Sequence, residues 1–275
     1  MRAAWQSLFR SVFRVFPGCL TQAQAIAFNM FLAFFPMLLL ALGVLTSSLR
    51  LRAGAQEMVA RLREILPPGS QQIVVDFLTR HGTHPWRWTT LGLAGTLLAG
   101  TQVMKLMMDG FRIACSDAER PGFFSRQGRA LLLLTATFVP WLASVVFTVF
   151  GKQVRAWMIR HFGLPALVRE LWAVLFSGAA LLIAILVLAV VYRVGRPGAR
   201  GWREVLPGAA LATLLWWGAN SVFGVYVRHV PQGLVYGGVA AAIGLMLWMQ
   251  LTAMIVLLGA AFNAELAARS SVADP

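Results

Sequence analysis

The stretch AIAFNMFLAFFPMLLLALGVLTSSL, at residues 25–49, decides the fold of this chain. It lies within a run of 35 uncharged residues between Arg14 and Arg50. A helix needs only about 20 apolar residues to cross the hydrocarbon core of a bilayer. Because no water is available there, a helix that satisfies its own backbone hydrogen bonds is the natural form. The stretch therefore predicts a transmembrane helix.

The composition extends this prediction to the whole chain. Of its 275 residues, 59% are hydrophobic and 12% are charged, whereas a soluble domain carries about 25% charged residues. Five further uncharged intervals of 17 to 36 residues separate the remaining charges. We therefore predict an all-α polytopic bundle, a single integral membrane domain with six transmembrane helices at residues 25–49, 88–108, 130–150, 171–192, 205–227 and 236–263.

Residues 1–20 differ from the spans because their apolar and polar side chains fall on two faces. Trp5, Phe9 and Phe16 recur at helical spacing, while Arg10 and Arg14 lie on the other side. This pattern predicts an amphipathic helix in the membrane interface, with its arginines near lipid phosphates. Packing of the same helix against the bundle is the alternative.

The first connection, residues 50–87, also has a helical pattern. Its apolar residues at helical spacing are followed by Pro67, Pro68 and Gly69, which end a helix, and by a second apolar patch. We predict a periplasmic hairpin of short helices. The distribution of Lys and Arg between the two sides is 13 against 11 for cytoplasmic termini. The compact connection from Arg193 to Arg203 holds four of the 13 and favours that orientation.

Polar side chains are scarce in the first span, and each is costly in hydrocarbon. Gln22, Asn29, Pro36 and Gly43 recur every seven residues, so they share one slowly drifting stripe of the helix. The stripe is consistent with a path for a substrate or ion. Packing between helices, held by the amides, is the alternative.

The fifth and sixth spans supply polar partners for this stripe. Asn220 lies on a polar face of the fifth span, and Tyr236 and Gln250 share a face of the sixth. We expect Asn220 and Gln250 to hydrogen-bond to Asn29 or Gln22, because each amide in hydrocarbon must find a partner. The predicted translocation path, in a cavity between helices 1, 5 and 6, comprises Gln22, Asn29, Pro36, Asn220, Tyr236 and Gln250.

A second polar group is predicted at the cytoplasmic end of the bundle. Gln102, Lys105, Asp109 and Arg112 share one face of the second span, and we expect Lys105 and Asp109 to pair. Glu265 closes the sixth span in a similar way. The cluster is consistent with a gate, and a solvated helix end is the alternative.

Several stretches of the chain, in this order and spacing, resemble the YihY/BrkB family of bacterial inner-membrane proteins. They are AIAFNMFLAFFP at residues 25–36, ERP at 119–121, WREVLPG at 202–208, Tyr226, YG at 236–237, Trp248 and LGA at 258–260. The resemblance covers nearly the whole chain. It implies a six-helix inner-membrane protein, with family labels that include envelope integrity, serum resistance and transport.

The chain also departs from the pattern of this family. Asn29 stands where a Tyr is common, Ala33 where a Ser is common, and Ala261 where an acidic residue is common. A role that rests on that acid therefore does not carry over to this chain. Members of the family have been called ribonuclease BN, a name that we regard as a misassignment.

These observations favour a transporter or a translocator of lipids or other amphiphiles in the bacterial inner membrane. A scaffold that binds periplasmic envelope proteins through the hairpin is the alternative, and a ribonuclease is disfavoured. Cleavage of a phosphodiester with metal ions needs clustered His, Asp or Glu residues, and the four histidines have no acidic cluster beside them. We expect no enzymatic activity, no metal and no cofactor. With a net charge of +14, anionic lipid headgroups are the expected partners, and not nucleic acid.

Overall fold

A computed structural model describes residues 2–47, 85–115, 122–140, 166–196, 201–229 and 237–273. Nearly all of these residues are helical, which confirms the all-α prediction. The helices are α1 (Arg2–Ser47), α2 (Pro85–Cys115), α3 (residues 123–140), α4 (Ala166–Gly195), α5 (Trp202–His229) and α6 (Gly237–Ala273).

Four of these helices contain a segment long and apolar enough to cross a membrane. The segments are Pro17–Leu40, Thr89–Cys115, Trp202–Val225 and Ala242–Arg269. A shorter apolar segment, Ala180–Gly195, lies in α4. The span predicted at residues 130–150 continues beyond the described part of α3, and most of the predicted hairpin at residues 50–87 also lies outside the described residues. The count of six spans therefore stays a prediction.

The helices extend beyond the predicted spans. The amphipathic segment and the first predicted span are parts of one helix, α1, which passes through Pro17 and Pro36 without a break. α2 continues past Arg112 to Cys115, and α6 continues past Glu265 and Arg269 to Ala273. Counting uncharged residues misses these ends because a charged side chain at the edge of the bilayer can be paired or reach water while the helix continues.

The chain divides into two compact units. Unit 1 comprises Met1–Gln22, Met104–Gly218 and Met254–Pro275, and unit 2 comprises Ala23–Val103 and Ala219–Ala253. The core of unit 1 contains the ring of Phe111, which packs edge-on against Tyr192 with centroids 5.4 Å apart. Its other fully buried large side chains are Leu133, Leu257, Val205 and Cys19.

The core of unit 2 is built largely from small side chains. Ala23, Ala27 and Ala253 are buried, together with Ile26 and Met249. Small residues let helix backbones approach closely, and this is the usual basis of helix packing in membranes, where burial of apolar surface from water is not available as a driving force.

Large apolar side chains cover much of the outer surface. On α1 the exposed set is Phe28, Leu32, Phe35 and Leu38, which share one face. On α4 it includes Leu182, Ile183 and Leu186. A soluble protein rarely exposes such continuous apolar faces, whereas helices in contact with lipid do.

Candidate functional site

The polar stripe of α1 packs against α2 in unit 2. A Cβ atom at Gly95 would lie 2.7 Å from Cβ of Pro36, and one at Gly43 would lie 3.0 Å from Cα of Thr89. Between them, a Cβ atom at Gly92 would lie 2.5 Å from the backbone nitrogen of Leu40. The two helices are antiparallel, and Pro36 and Gly43 lie at their contact. For these two residues, the contacts support the packing alternative.

Gln22 has the same neighbour within unit 1. Its Nε2 donates to the backbone oxygen of Leu106 in α2 at 2.8 Å, and its Cγ lies against Gly110. The Gln22 side chain thus bonds to the backbone of a neighbouring helix and not to another side-chain amide. Gln22 in unit 1, and Pro36 and Gly43 in unit 2, therefore lie against α2. The sequence analysis predicted partners on the fifth and sixth helices instead.

Asn29 and Asn220 are half-buried in unit 2 and use different partners from those expected. Nδ2 of Asn29 donates to the oxygen of Ala25, one turn earlier in its own helix, at 2.9 Å. Oδ1 of Asn220 accepts a hydrogen bond from the indole nitrogen of Trp248 in α6 at 2.7 Å. Gln250, in the same helix, is also half-buried. Tyr236 lies outside the described residues.

At the end of α2, Asp109 is the centre of the predicted polar cluster. It pairs with Arg126 of α3 at 2.5 Å and with Arg112 at 3.5 Å. The expected pair with Lys105 is wrong, because α3 brings a closer cation to the carboxylate than the helix's own surface does. Arg112 also has a buried Nε atom without a partner in the described part of the chain.

The other members of the predicted cluster do not share this ion pair. Glu265 bonds instead to Arg269, one turn later in α6, at 3.2 Å. Gln102 is exposed and belongs to unit 2. The structure therefore reduces the predicted cluster to an Asp109 pair between α2 and α3 and a separate pair at the end of α6.

The best-defined polar contact in unit 1 involves Asn263, which the sequence analysis did not select as a site residue. Its Oδ1 accepts from the backbone nitrogen of Gly208 at 2.7 Å, and its Nδ2 donates to the oxygen of Val205 at 3.1 Å. Gly208 directly follows Pro207, which has no backbone donor, and Val205 lies two residues before this proline. The amide is buried, so both of its polar atoms are satisfied by a neighbouring helix.

Glycines make this contact possible. A Cβ atom at Gly208 would lie 2.5 Å from Nδ2 of Asn263, and one at Gly259 would lie 2.8 Å from Cβ of Ala212. The hydroxyl of Tyr192 in α4 donates to the oxygen of Val256 at 2.7 Å, close to the same point. The stretches WREVLPG and LGA, which carry the family resemblance, thus meet at Gly208 and Gly259.

The described residues contain no group of three or more His, Cys, Asp or Glu side chains that could hold a metal ion. His81, His84, His161 and the side chain of His229 lie outside the described part of the chain. Cys19 and Cys115, both in unit 1, are not joined in a disulfide, and Sγ of Cys115 donates to the oxygen of Ala260 at 3.8 Å.

Comparison with known families gives one match over nearly the whole chain. The family described as virulence factor BrkB matches residues 17–275, which confirms the resemblance seen in the sequence. No solved structure matches the chain.

Curated relatives fall into two groups. The ribonuclease-like protein YfkH of Bacillus subtilis is 24% identical over 92% of each chain. A UPF0761 membrane protein of Alkalilimnicola ehrlichii is 24% identical over 92% of this chain and 56% of its own length. Another, from Laribacter hongkongensis, is 28% identical over 90% of this chain and 58% of its own length. The chain therefore spans little more than half the length of these UPF0761 relatives.

Proposed function

This chain belongs to the virulence factor BrkB family of membrane proteins, and from that premise we propose that it translocates lipids or other amphiphiles across the bacterial inner membrane. An amphiphile has a polar headgroup that must pass through hydrocarbon while its acyl chains stay in lipid. A protein that assists it needs polar groups within a membrane-spanning segment, at a surface that lipid can reach.

The observation that carries this proposal is the position of Asn220 in α5. It is half-buried, and it lies among the exposed residues Trp217, Ser221 and Val222. Trp217 is 66% exposed and Val222 is 72% exposed, so the amide borders an apolar outer surface. A polar amide at this boundary can donate to a headgroup that enters from the bilayer.

The bond to Trp248 supports this role. It uses the oxygen of the Asn220 amide, so the orientation of the side chain is fixed and its NH₂ group faces away from the indole donor. Asn29 has the complementary arrangement, because its described bond uses the NH₂ group and leaves the oxygen as an acceptor. Gln250 adds a third half-buried amide in the same unit. We propose that these three amides of unit 2 belong to the path.

The alternatives have less support. A scaffold role would depend on the hairpin at residues 50–87, most of which lies outside the described residues. The name of the YfkH relative is ribonuclease-like, but a metal-dependent nuclease needs a cluster of metal ligands, and the described residues contain no such cluster. We therefore propose a function that is not enzymatic, with cytoplasmic termini and anionic lipids as partners.

Lipid movement in vesicles tests the proposal. The purified chain is reconstituted in vesicles of phosphatidylcholine and phosphatidylglycerol that contain fluorescent phosphatidylglycerol in both leaflets, and dithionite then bleaches the outer leaflet. We expect the wild-type chain to make more than half of the probe accessible. Asn220→Leu is expected to slow the movement about tenfold, the effect of one lost hydrogen bond to a charged group.

Val222→Leu is the matched control, because it changes an exposed apolar side chain two residues away. It should leave the rate unchanged, and a trapped soluble dye should show that the vesicles do not leak. Lipid movement equal to that of vesicles without protein would contradict translocation. Equal rates for Asn220→Leu and the wild type would contradict the role of this amide.

A further inference from the structure

Two half-buried amides of unit 2, those of Asn29 and Asn220, are held by opposite ends. Nδ2 of Asn29 donates to the backbone oxygen of Ala25 at 2.9 Å, and Oδ1 of Asn220 accepts from the indole nitrogen of Trp248 at 2.7 Å. A carbonyl oxygen can only accept and an indole N–H can only donate, so each partner determines which end of the amide it holds. The chemistry of the two partners therefore fixes the orientation of both amides.

The groups that these two bonds leave open differ in kind. Asn220 keeps both hydrogens of its NH₂ group, which are donors, and its oxygen is already bonded to the indole. Asn29 keeps its oxygen, which is an acceptor, besides one hydrogen. Of these two side chains, Asn29 is thus the one that offers an open acceptor.

Both residues lie beside apolar side chains of the outer surface. Asn29 is next to Phe28, which is 50% exposed, and one turn before Leu32, which is 48% exposed. Asn220 lies two residues before Val222, which is 72% exposed. A headgroup that enters from the bilayer beside these side chains therefore meets a donor on α5 and an acceptor on α1.

The half-buried Gln250 places no such demand on a headgroup. The described part of the chain gives its amide no hydrogen bond, so the side chain can turn either its oxygen or its NH₂ group toward a ligand. Asn29 cannot adapt in this way without losing its bond to Ala25. The selective contact is therefore the one with Asn29.

An ionised phosphate satisfies only one of the two oriented amides. Its oxygens accept from the NH₂ group of Asn220, but they cannot donate to the oxygen of Asn29. That oxygen needs an O–H or N–H group of the headgroup, and an acceptor left unpaired away from water is costly. A headgroup that pairs with both amides must carry a donor in addition to its phosphate.

We propose that the path selects phospholipids whose headgroup carries a hydrogen-bond donor, such as glycerol or ethanolamine, over those with choline, which has no O–H or N–H group. This inference rests on the proposed translocation and names its substrate class. Ethanolamine and choline carry the same charge, so the selection acts through hydrogen bonding to Asn29 and not through charge.

A series of headgroups in the dithionite assay tests this selection with the unaltered chain. The probes are phosphatidylethanolamine, its N,N-dimethyl derivative and phosphatidylcholine, all labelled on the acyl chain and all zwitterionic at neutral pH. The dimethyl lipid keeps one N–H group, and the choline lipid differs from it by one methyl group and has none. We expect the first two lipids to move at similar rates and phosphatidylcholine about tenfold more slowly, the effect of one unpaired acceptor.

Two variants separate the roles of the amides. Asn29→Leu should bring the dimethyl and choline lipids to the same rate, because the acceptor that distinguishes them is lost. Asn220→Leu should slow both lipids by the same factor and keep their ratio, because both have the phosphate. Phe28→Leu is the matched control for Asn29, since it changes the exposed apolar side chain next to it, and it should keep both rates.

The outcomes distinguish this inference from the proposed function. Equal rates of the dimethyl and choline lipids with the wild-type chain would overturn the selection and leave translocation standing. No movement of any of the three lipids would contradict translocation itself, and the selection with it. An unchanged ratio of the two rates in Asn29→Leu would overturn the assignment of the selection to Asn29.

Discussion

The side chain of Asn263 joins two helices of unit 1 through both of its polar atoms. It accepts from the backbone nitrogen of Gly208, directly after Pro207, and donates to the backbone oxygen of Val205, two residues before this proline. In hydrocarbon such groups have no water to bond to. At the residue scale, this contact is therefore the strongest candidate for a determinant of stability in unit 1.

Asn263→Ala should lower the free energy of unfolding by about 2 kcal/mol, because it removes two hydrogen bonds and leaves a buried backbone N–H without that partner. Unfolding by sodium dodecyl sulfate in mixed micelles measures this change. Thr213→Val is the control, since the Thr213 hydroxyl bonds only to its own helix, at the oxygen of Ala209. Equal effects of the two variants would contradict a special role for Asn263.

The glycines beside Asn263 give a second prediction at this scale. Gly208→Ala should destabilise the chain, by about 2 kcal/mol or more, because the new methyl group would force α5 away from Asn263 and Gly259. Gly218→Ala in the same helix should be neutral or stabilising, since its methyl group would meet no atom within 4 Å and alanine favours a helix. The same unfolding assay compares them, and a loss of stability at both positions would contradict this explanation.

The sixth predicted span ends at Asn263, and the sequence shows only the neighbours of this residue in the chain. The amide acts on residues 55 and 58 positions away. The same limit explains Asp109, for which i, i+4 spacing predicts Lys105 but tertiary packing supplies Arg126. Pro207, Gly208 and Gly259 belong to the stretches that carry the family resemblance, yet nothing in the sequence shows which helices meet there.

At the scale of elements, the contact between α1 and α2 determines how the polar stripe of α1 is interpreted. Seven-residue spacing correctly indicates that its members share a face. It does not identify the helix that covers this face, because any helix with small residues can do so. Gly92 and Gly95 of α2 provide that surface next to Leu40 and Pro36.

A disulfide tests this packing. In a variant without Cys19 and Cys115, Gly43→Cys and Thr89→Cys should crosslink, because a Cβ atom at Gly43 would lie 3.0 Å from Cα of Thr89, and a small separation of the two helices brings the pair to the spacing of a disulfide. Gly43→Cys with Leu91→Cys is the control, since Leu91 is exposed on another side of α2. Mobility in a gel without reductant distinguishes them. Similar crosslinking of the two pairs would contradict the described contact.

At the scale of the whole molecule, long uncharged intervals correctly predicted helices and a membrane protein. The physical reason is that the hydrocarbon requires every span to be apolar and to satisfy its own backbone hydrogen bonds, whatever the protein does. The sequence has no comparably general signal for function, because a few amides in the spans can serve either transport or packing. The distinction depends on which of these amides lipid can reach at the outer surface of the helices.

The central claim is that this apolar outer surface faces lipid, and spin labels on α1 test it most directly. In a variant without native cysteines, nitroxides are attached to Leu32→Cys and Phe35→Cys, both on the exposed face, and to Ile26→Cys, which is buried. Collision rates with oxygen and with a water-soluble nickel chelate are measured in vesicles. We predict frequent collisions with oxygen and few with nickel at Leu32 and Phe35, and few with either at Ile26. Frequent collisions with nickel at Leu32 and Phe35 would place this face in water and contradict the account.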